Sequence, residues 1–312
     1  MTMNETCRLC GSKRLDIICR RIKSGIDANV LRCQDCCLVF LEDKFFEPKR
    51  IAELYQGSYQ YVPSLDELVG TPHDPYKIKA ERIAQYLDPA QTSLFEIGAG
   101  SGQFARVVRD RVKRLVCQEF NSDQADSLRQ LYSAEVYTEG LEEIVLEDVF
   151  DVVVYLHVLE HIPDPLAWLR QTMSYVKPGG ILYIEVPNVR DPLLSLYRVS
   201  GYDQMYFRQP HLFYYDQNTL RLMLERAGFK HMKIGVDQTY SLTNHLHWTD
   251  CKTPQPSLNV GYRFHMSGEF HGSPELRKDL ESGFYAADAR YRETLIRHGF
   301  GDLVYAIVEN RP

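Results

Sequence analysis

From Asp74 onward the apolar positions fall into short dense runs separated by stretches of helical spacing, and this alternation sets the architecture. Leu94 to Ile97, Arg114 to Glu119, Ala134 to Thr138, Phe150 to Tyr155 and Ile181 to Val186 are five runs of strand length. The fourth is almost continuously apolar, as expected of a parallel strand covered on both faces. Between them lie helical patterns. Tyr76, Ala80, Ile83, Ala84 and Leu87 form one, started by Pro75 and stopped by Asp88-Pro89; Phe104, Val107 and Val108 form the next. Asp123 to Tyr132 and Pro165 to Val176 follow, the latter broken by Lys177-Pro178-Gly179-Gly180. A helix over Asn218 to Ala227, stopped by Gly228, precedes a sixth strand over Lys230 to Tyr240, and Leu303 to Val308 is the last. The pattern predicts an α/β fold: a doubly wound, mostly parallel, Rossmann-like sheet of seven strands.

Residues outside this rhythm divide the rest of the chain. Residues 1–44 form a small N-terminal module closed by the short strand Leu38 to Leu41, 45–73 a connector, and 74–312 the main domain. The connector tyrosines Tyr55, Tyr59 and Tyr61 either line a pocket or pack module against domain. Residues 241–302 are an insertion before the last strand: a polar loop, Ser241 to Gly272, then a helix. That helix has Ser273 as N-cap, Pro274 at its first position, apolar Leu276, Leu280, Phe284, Ala287, Tyr291 and Leu295, and Gly299 as its stop. Lying over the strand ends, the insertion offers a substrate lid or a homodimer contact. Asn244, His245, His247 and Trp248 place either sugar contacts or a packed surface in its loop.

The first run ends in Glu96-Ile97-Gly98-Ala99-Gly100-Ser101-Gly102. A strand feeding a glycine-rich turn feeding a helix lets a ligand reach bare backbone N–H groups. Dinucleotide folds need glycine at position 103, where this chain has Gln103. The spacing acid-x-G-x-G-x-G resembles motif I of the class I S-adenosylmethionine (SAM) methyltransferases, which implies SAM as cofactor and Glu96, Gly98, Gly100 and Gly102 as residues that hold it. Glu119, 17 residues beyond Gly102, stands where a second-strand carboxylate accepts hydrogen bonds from both ribose hydroxyls. Leu141, in the segment Gly140 to Glu142, is expected near the adenine. His157, directly beyond the fourth strand, is expected at the cofactor because ligands of open α/β sheets bind outside the carboxyl ends of the strands.

Cysteine spacing adds a metal. Cys7-x2-Cys10 and Cys33-x2-Cys36 are two knuckles of the kind that closes a tetrahedral zinc site. Four thiolates leave no position for water or substrate, so this Zn2+ is structural, and a module of about 45 residues would draw most of its folding energy from it. Gly11 suits a knuckle that turns with positive φ; Cys37 stands at the matching place in the second, as a spare thiol or an alternative ligand. Cys19, Cys117 and Cys251 read as ordinary buried thiols.

Composition narrows the partners. Hydrophobic content of 44% and charge of 25% are those of a globular protein, and a net charge of −6 without a Lys/Arg cluster disfavours nucleic acid as substrate. With no basic start followed by an apolar run, and no span of bilayer length, the expectation is a cytoplasmic protein with no membrane partner.

The run Leu156-His157-Val158-Leu159-Glu160-His161-Ile162-Pro163, together with motif I and the paired cysteines, resembles the sugar C-methyltransferases that act on nucleotide-linked keto-deoxysugars. The resemblance covers about residues 5–235. It implies a saccharide-type small-molecule acceptor, C- or O-methylated, and active-site roles for His161 and for His211 of Tyr206-Phe207-Arg208-Gln209-Pro210-His211-Leu212. Either imidazole is suited to act as general base near neutral pH, or to be a hydrogen-bonded structural residue. The chain departs from that family in having Pro210 where a glutamate precedes the second histidine, and in having only Val236 to Pro312 where the family carries a long C-terminal domain.

Overall fold

The computed structural model describes residues 5–47, 69, 71, 74–140, 143–144, 148–255, 258–263 and 270–311, so the connector tyrosines and Leu141 lie outside the described residues. The chain opens with a hairpin of β1 (Leu15–Ile22) and β2 (Ile26–Cys33), followed by the fully buried β3 (Val39–Leu41). The main domain contributes β4 (Ser93–Ile97), β5 (Arg114–Gln118), β6 (Glu135–Tyr137), β7 (Phe150–Leu156), β8 (Val176–Pro187), β9 (Phe213–Tyr214), β10 (Met232–Asp237) and β11 (Leu303–Glu309). Seven of these form one sheet in the order β10-β11-β8-β7-β4-β5-β6. Every strand expected of the main domain is in it. β4, β5, β6, β7 and β8 pair in parallel, and β11 enters antiparallel between β8 and β10. The order reverses between β4 and β7, and a sheet of this kind opens its ligand crevice at the carboxyl ends there.

The helices carry the caps their sequences announced. Asp74 accepts from the Tyr76 and Lys77 amides at the head of α1 (Pro75–Arg82), and Gly102, at φ 79°, precedes α2 (Gln103–Val108). Asn121 caps α3 (Ser122–Tyr132), Asp164 caps α4 (Pro165–Ser174), and an Asp216/Thr219 capping box starts α5 (Gln217–Ala227), which Gly228 ends at φ 106°. Two expectations need correction. The Lys177-Pro178-Gly179-Gly180 stretch lies inside β8 as a bulge: Phe150 pairs with Val176 and Val152 with Ile181, and a Cβ on Gly180 would stand 2.7 Å from the Asp151 carbonyl. The polar stretch after Ser241 is not all loop, because Ser241 caps a further helix, α6 (Leu242–Cys251), whose Asn244, His245 and Trp248 are buried. Its hydrophobic periodicity is weak because two of those three inward residues are polar. The insertion's long helix, α7 (Pro274–Arg297), forms as expected, and Asp288 on it accepts from the Leu242 amide at 2.6 Å.

The N-terminal hairpin and β3 do not close on themselves. β9 pairs antiparallel with β3, Val39 opposite Tyr214 and Phe40 opposite Phe213, so a four-stranded sheet β1-β2-β3-β9 spans both parts of the chain. The Leu41 amide donates to the Leu212 carbonyl at 2.9 Å, Arg226 reaches the Leu9 carbonyl at 2.7 Å, and one apolar core runs through both. Among the described residues no helix is long and apolar enough to cross a membrane.

Candidate active site

The glycine loop sits between β4 and α2 at the carboxyl end of the sheet. Gly98, Gly100 and Gly102 all have left-handed backbones, with φ of 69°, 55° and 79°. Their surroundings differ. A Cβ on Gly98 would come within 2.7 Å of Val158, and one on Gly102 within 2.5 Å of the Tyr132 ring and 2.9 Å of Leu128, whereas one on Gly100 would meet nothing within 4 Å among the described residues. Gly98 and Gly102 thus let the loop lie close to its neighbours, and Gly100 faces open space. Glu119 fixes the loop: its carboxylate accepts from the Gly100 amide at 2.7 Å and from the Asn121 amide at 2.9 Å. Gln118 helps, accepting from the Gly98 amide at 3.2 Å through its side chain and donating to the Glu139 carbonyl at 3.1 Å. Glu96 lies beneath, with burial first and the Glu119 charge second raising its pKa to about 8.

On the other side of the switch point, β7 runs into His157. Its backbone is left-handed, φ 59°, and its ring stands between two buried carboxylates, Nδ1 3.5 Å from Glu160 and Nε2 3.7 Å from Glu185. Glu185 is held by the buried Lys79 ammonium, by Arg82 at 3.5 Å and by the Tyr183 hydroxyl at 3.2 Å. Burial alone would raise its pKa, but Lys79, His157 and Arg82 reverse the sign and keep it below the ordinary value.

His161 and His211 meet beyond the end of β7, with ring centroids 4.8 Å apart and edge to face. Glu160, fully buried, stands with them: its Oε1 lies 3.9 Å from His161 Nε2, and ligand atoms of all three residues are within 4.8 Å of one another. Neither Glu160 oxygen, nor His211 Nδ1, has a hydrogen-bond partner among the described residues. A carboxylate thus stands beside the histidine pair although Pro210 precedes His211. By donor type the trio also suits a divalent cation. Burial lowers the His161 pKa against the opposing pull of Glu160 and of its hydrogen bond to the Pro210 backbone. Burial lowers that of His211 further, helped by Arg208 and His161. A base made of either ring would titrate below the neutral range expected of an ordinary imidazole.

The four predicted cysteines converge. Cys7 and Cys36 sulfurs are 3.4 Å apart, Cys10 and Cys33 sulfurs 3.5 Å, and all four lie within 4.8 Å. Tetrahedral Zn–S bonds of about 2.3 Å set sulfurs about 3.8 Å apart, so the cluster fits zinc with little adjustment. Cys19 and Cys117 are buried as expected, but Cys251, at the end of α6, is exposed; Cys37 is exposed and outside the cluster. It turns the second knuckle at φ 65° as Gly11 turns the first at φ 77°, its amide donating to the Cys33 carbonyl at 3.0 Å.

Several polar groups at the strand ends were not evident from sequence. Asp191 accepts from the Leu193 amide and the Tyr202 hydroxyl, and burial with nearby Asp302 raises its pKa to about 7. His245, read as a loop residue, is buried on α6 against the Tyr291 hydroxyl at 2.5 Å, and burial with Arg292 pulls its pKa down to about 3. A recess of about 390 Å³ lined by Ser93, Lys113, Arg114, Asp148 and Lys177 lies at the amino ends of β4, β5 and β8, away from the end where ligands of such sheets bind.

The chain is 30% identical over 135 residues to a ubiquinone biosynthesis O-methyltransferase of Xanthomonas axonopodis pv. citri, covering 40% of this chain and 54% of the relative. It is 23% identical over 174 residues to a tRNA 5-carboxymethoxyuridine methyltransferase of Escherichia coli O157:H7, covering 50% and 67%. The chain thus spans about half the length of the first of these relatives. Among solved structures, a SAM-dependent methyltransferase from Archaeoglobus fulgidus aligns with a TM-score of 0.48 at 19% identity, over 76% of this chain and 93% of that one. Residues 73–233, just over half of the chain, match the family described as a methyltransferase domain, and the chain belongs to that family.

Proposed function

We propose that the protein transfers a methyl group from SAM to a small-molecule acceptor of saccharide type, such as a sugar, a nucleotide-sugar or a glycan precursor. The observation that carries this reading is the division of the crevice. An open backbone cradle at Gly100 with the Glu119 carboxylate beside it stands on one side, and a buried histidine pair with Glu160 on the other. SAM supplies an electrophilic methyl on a sulfonium. Glu119 holds the ribose hydroxyls, and the loop amides accept close approach of the cofactor. His161 or His211 removes the proton of the acceptor carbon or hydroxyl, and Glu160 stabilises the imidazolium that results. The four-thiol cluster holds a structural zinc, and because β3 pairs with β9, that metal also supports the strand directly after His211.

A second reading, O-methylation of a non-sugar hydroxyl compound, is favoured by the naming of the Xanthomonas relative as a ubiquinone biosynthesis O-methyltransferase. One experiment separates these. The purified chain is incubated with methyl-labelled SAM and panels of nucleotide-sugars, phenolic compounds and bulk tRNA, and product mass and the labelled position are read. Label in a sugar supports the first reading, label in a phenol the second. Label in tRNA, or SAM binding without transfer to any panel, overturns both. With the acceptor found, His161→Ala and His211→Ala should bind SAM as wild type does, while at least one loses rate by about 10²–10⁴-fold.

A further inference from the structure

The segment Tyr206 to His211 presents three buried polar atoms that have no hydrogen-bond partner among the described residues: the Tyr206 hydroxyl, Arg208 Nε and His211 Nδ1. Arg208 is the unusual one. Its backbone is clamped at both polar atoms by one side chain, the Arg208 amide donating to the Tyr214 hydroxyl at 2.8 Å and that hydroxyl donating to the Arg208 carbonyl at 3.1 Å. Its guanidinium makes no ion pair and no hydrogen bond among the described residues, although Nε is buried and the residue as a whole is half-buried. Among the described residues, Asp203 meets the Cys19 sulfur at 3.6 Å, Asp191 meets Tyr202, and Glu160 stands by the histidines. Fixing a half-buried cation without a counter-charge is costly unless something else supplies that charge.

A second cation comes from the N-terminal module. The turn between β1 and β2 docks on this segment, the Lys23 amide donating to the Phe207 carbonyl at 2.8 Å. That contact seats Lys23 against the residue preceding Arg208; burial first and the like charge of Arg208 second lower its pKa, and both cations lower that of His211. Two positive side chains from different parts of the chain are thus brought together beside the proposed base.

We infer that Arg208 and Lys23 form a subsite for a phosphate-type oxyanion carried by the acceptor, with the Tyr206 hydroxyl as a further donor. This rests on the methyltransferase reading and narrows its substrate to a phosphorylated or nucleotide-linked compound. Arg forks match phosphate oxygens, and a second cation favours a diphosphate over a carboxylate. The subsite also gives the cysteine module a part in acceptor recognition, since its hairpin turn delivers Lys23.

The test uses the full chain saturated with S-adenosylhomocysteine and titrates inorganic pyrophosphate by calorimetry, with malonate as the carboxylate control. Wild type should bind pyrophosphate more tightly than malonate. Arg208→Gln should weaken pyrophosphate at least tenfold, Lys23→Gln several-fold, and Arg208→Lys less than Arg208→Gln. All three variants should keep S-adenosylhomocysteine affinity within twofold, which also shows that they fold. Should Arg208→Gln fail that check, the exposed turn residue Lys23 carries the test. Pyrophosphate affinity that is absent in wild type, equalled by malonate, or unchanged in the folded variants overturns the subsite. Failure of wild type to bind S-adenosylhomocysteine overturns the methyltransferase reading itself, a separate result.

Discussion

Gly100 and Gly102 have the same backbone conformation and different jobs, and substituting each by alanine separates them. At Gly102 two penalties add. Holding a Cβ at φ 79° costs about 1–2 kcal/mol, and the new methyl stands 2.5 Å from the Tyr132 ring and 2.9 Å from Leu128. Leu128 is fully buried and cannot swing away, while Tyr132 is only partly buried and can yield, so overpacking adds about 1–3 kcal/mol. The sum is roughly 2–5 kcal/mol of folding stability. At Gly100 only the conformational cost applies, about 1–2 kcal/mol, because no described residue lies within 4 Å of the new methyl. The methyl instead fills the space through which a cofactor reaches the loop amides. Gly100→Ala should therefore melt within a few degrees of wild type and bind S-adenosylhomocysteine at least tenfold more weakly, a loss of about 1.4 kcal/mol or more. Gly102→Ala should melt much earlier. Circular dichroism melts and calorimetric titration read both. A Gly100→Ala protein with wild-type affinity, or a Gly102→Ala protein with the wild-type melting temperature, would refute the assignment of open cradle and packed neighbour.

Three further outcomes follow from the same geometry. Glu119→Ala removes the acceptor of the Gly100 and Asn121 amides as well as the proposed ribose partner, and should weaken S-adenosylhomocysteine by about 1–3 kcal/mol in calorimetry while the chain stays folded. Metal analysis should find one zinc per chain, and Cys10→Ser should lower both zinc content and melting temperature, since a closed thiolate site contributes folding energy; a metal-free preparation that melts like wild type would contradict this. Glu96 has a folded-state pKa of about 8, above its unfolded value, so the folded state binds the extra proton and stability from this group is lost as pH rises between about 4.5 and 8. Glu96→Gln removes that slope, so its melting temperature relative to wild type should climb across this window and level off above it; a pH-independent difference would show that Glu96 is ionised in the folded protein.

Periodicity and spacing were enough for the main sheet, because each parallel strand is a local apolar run and each helix carries its own cap and stop signals. The Gly98-Gly100-Gly102 loop, Glu119 and the two cysteine knuckles were legible for the same reason: each is a short motif whose geometry is set by adjacent residues. What the chain does across long separations was not. Sequence could not show that β3 pairs with β9, which ties the cysteine module to the segment of His211, because a two-residue strand has no periodic signature. Nor could it show His211 meeting Glu160 and His161, or the Lys23 turn docked on Phe207, since residues 50 to 184 positions apart in the chain meet only after the sheet has formed. The α6 helix was hidden because its buried face is partly polar. Burial also moved the histidine pKa values below the neutral range, a property of the folded environment that residue type alone does not carry.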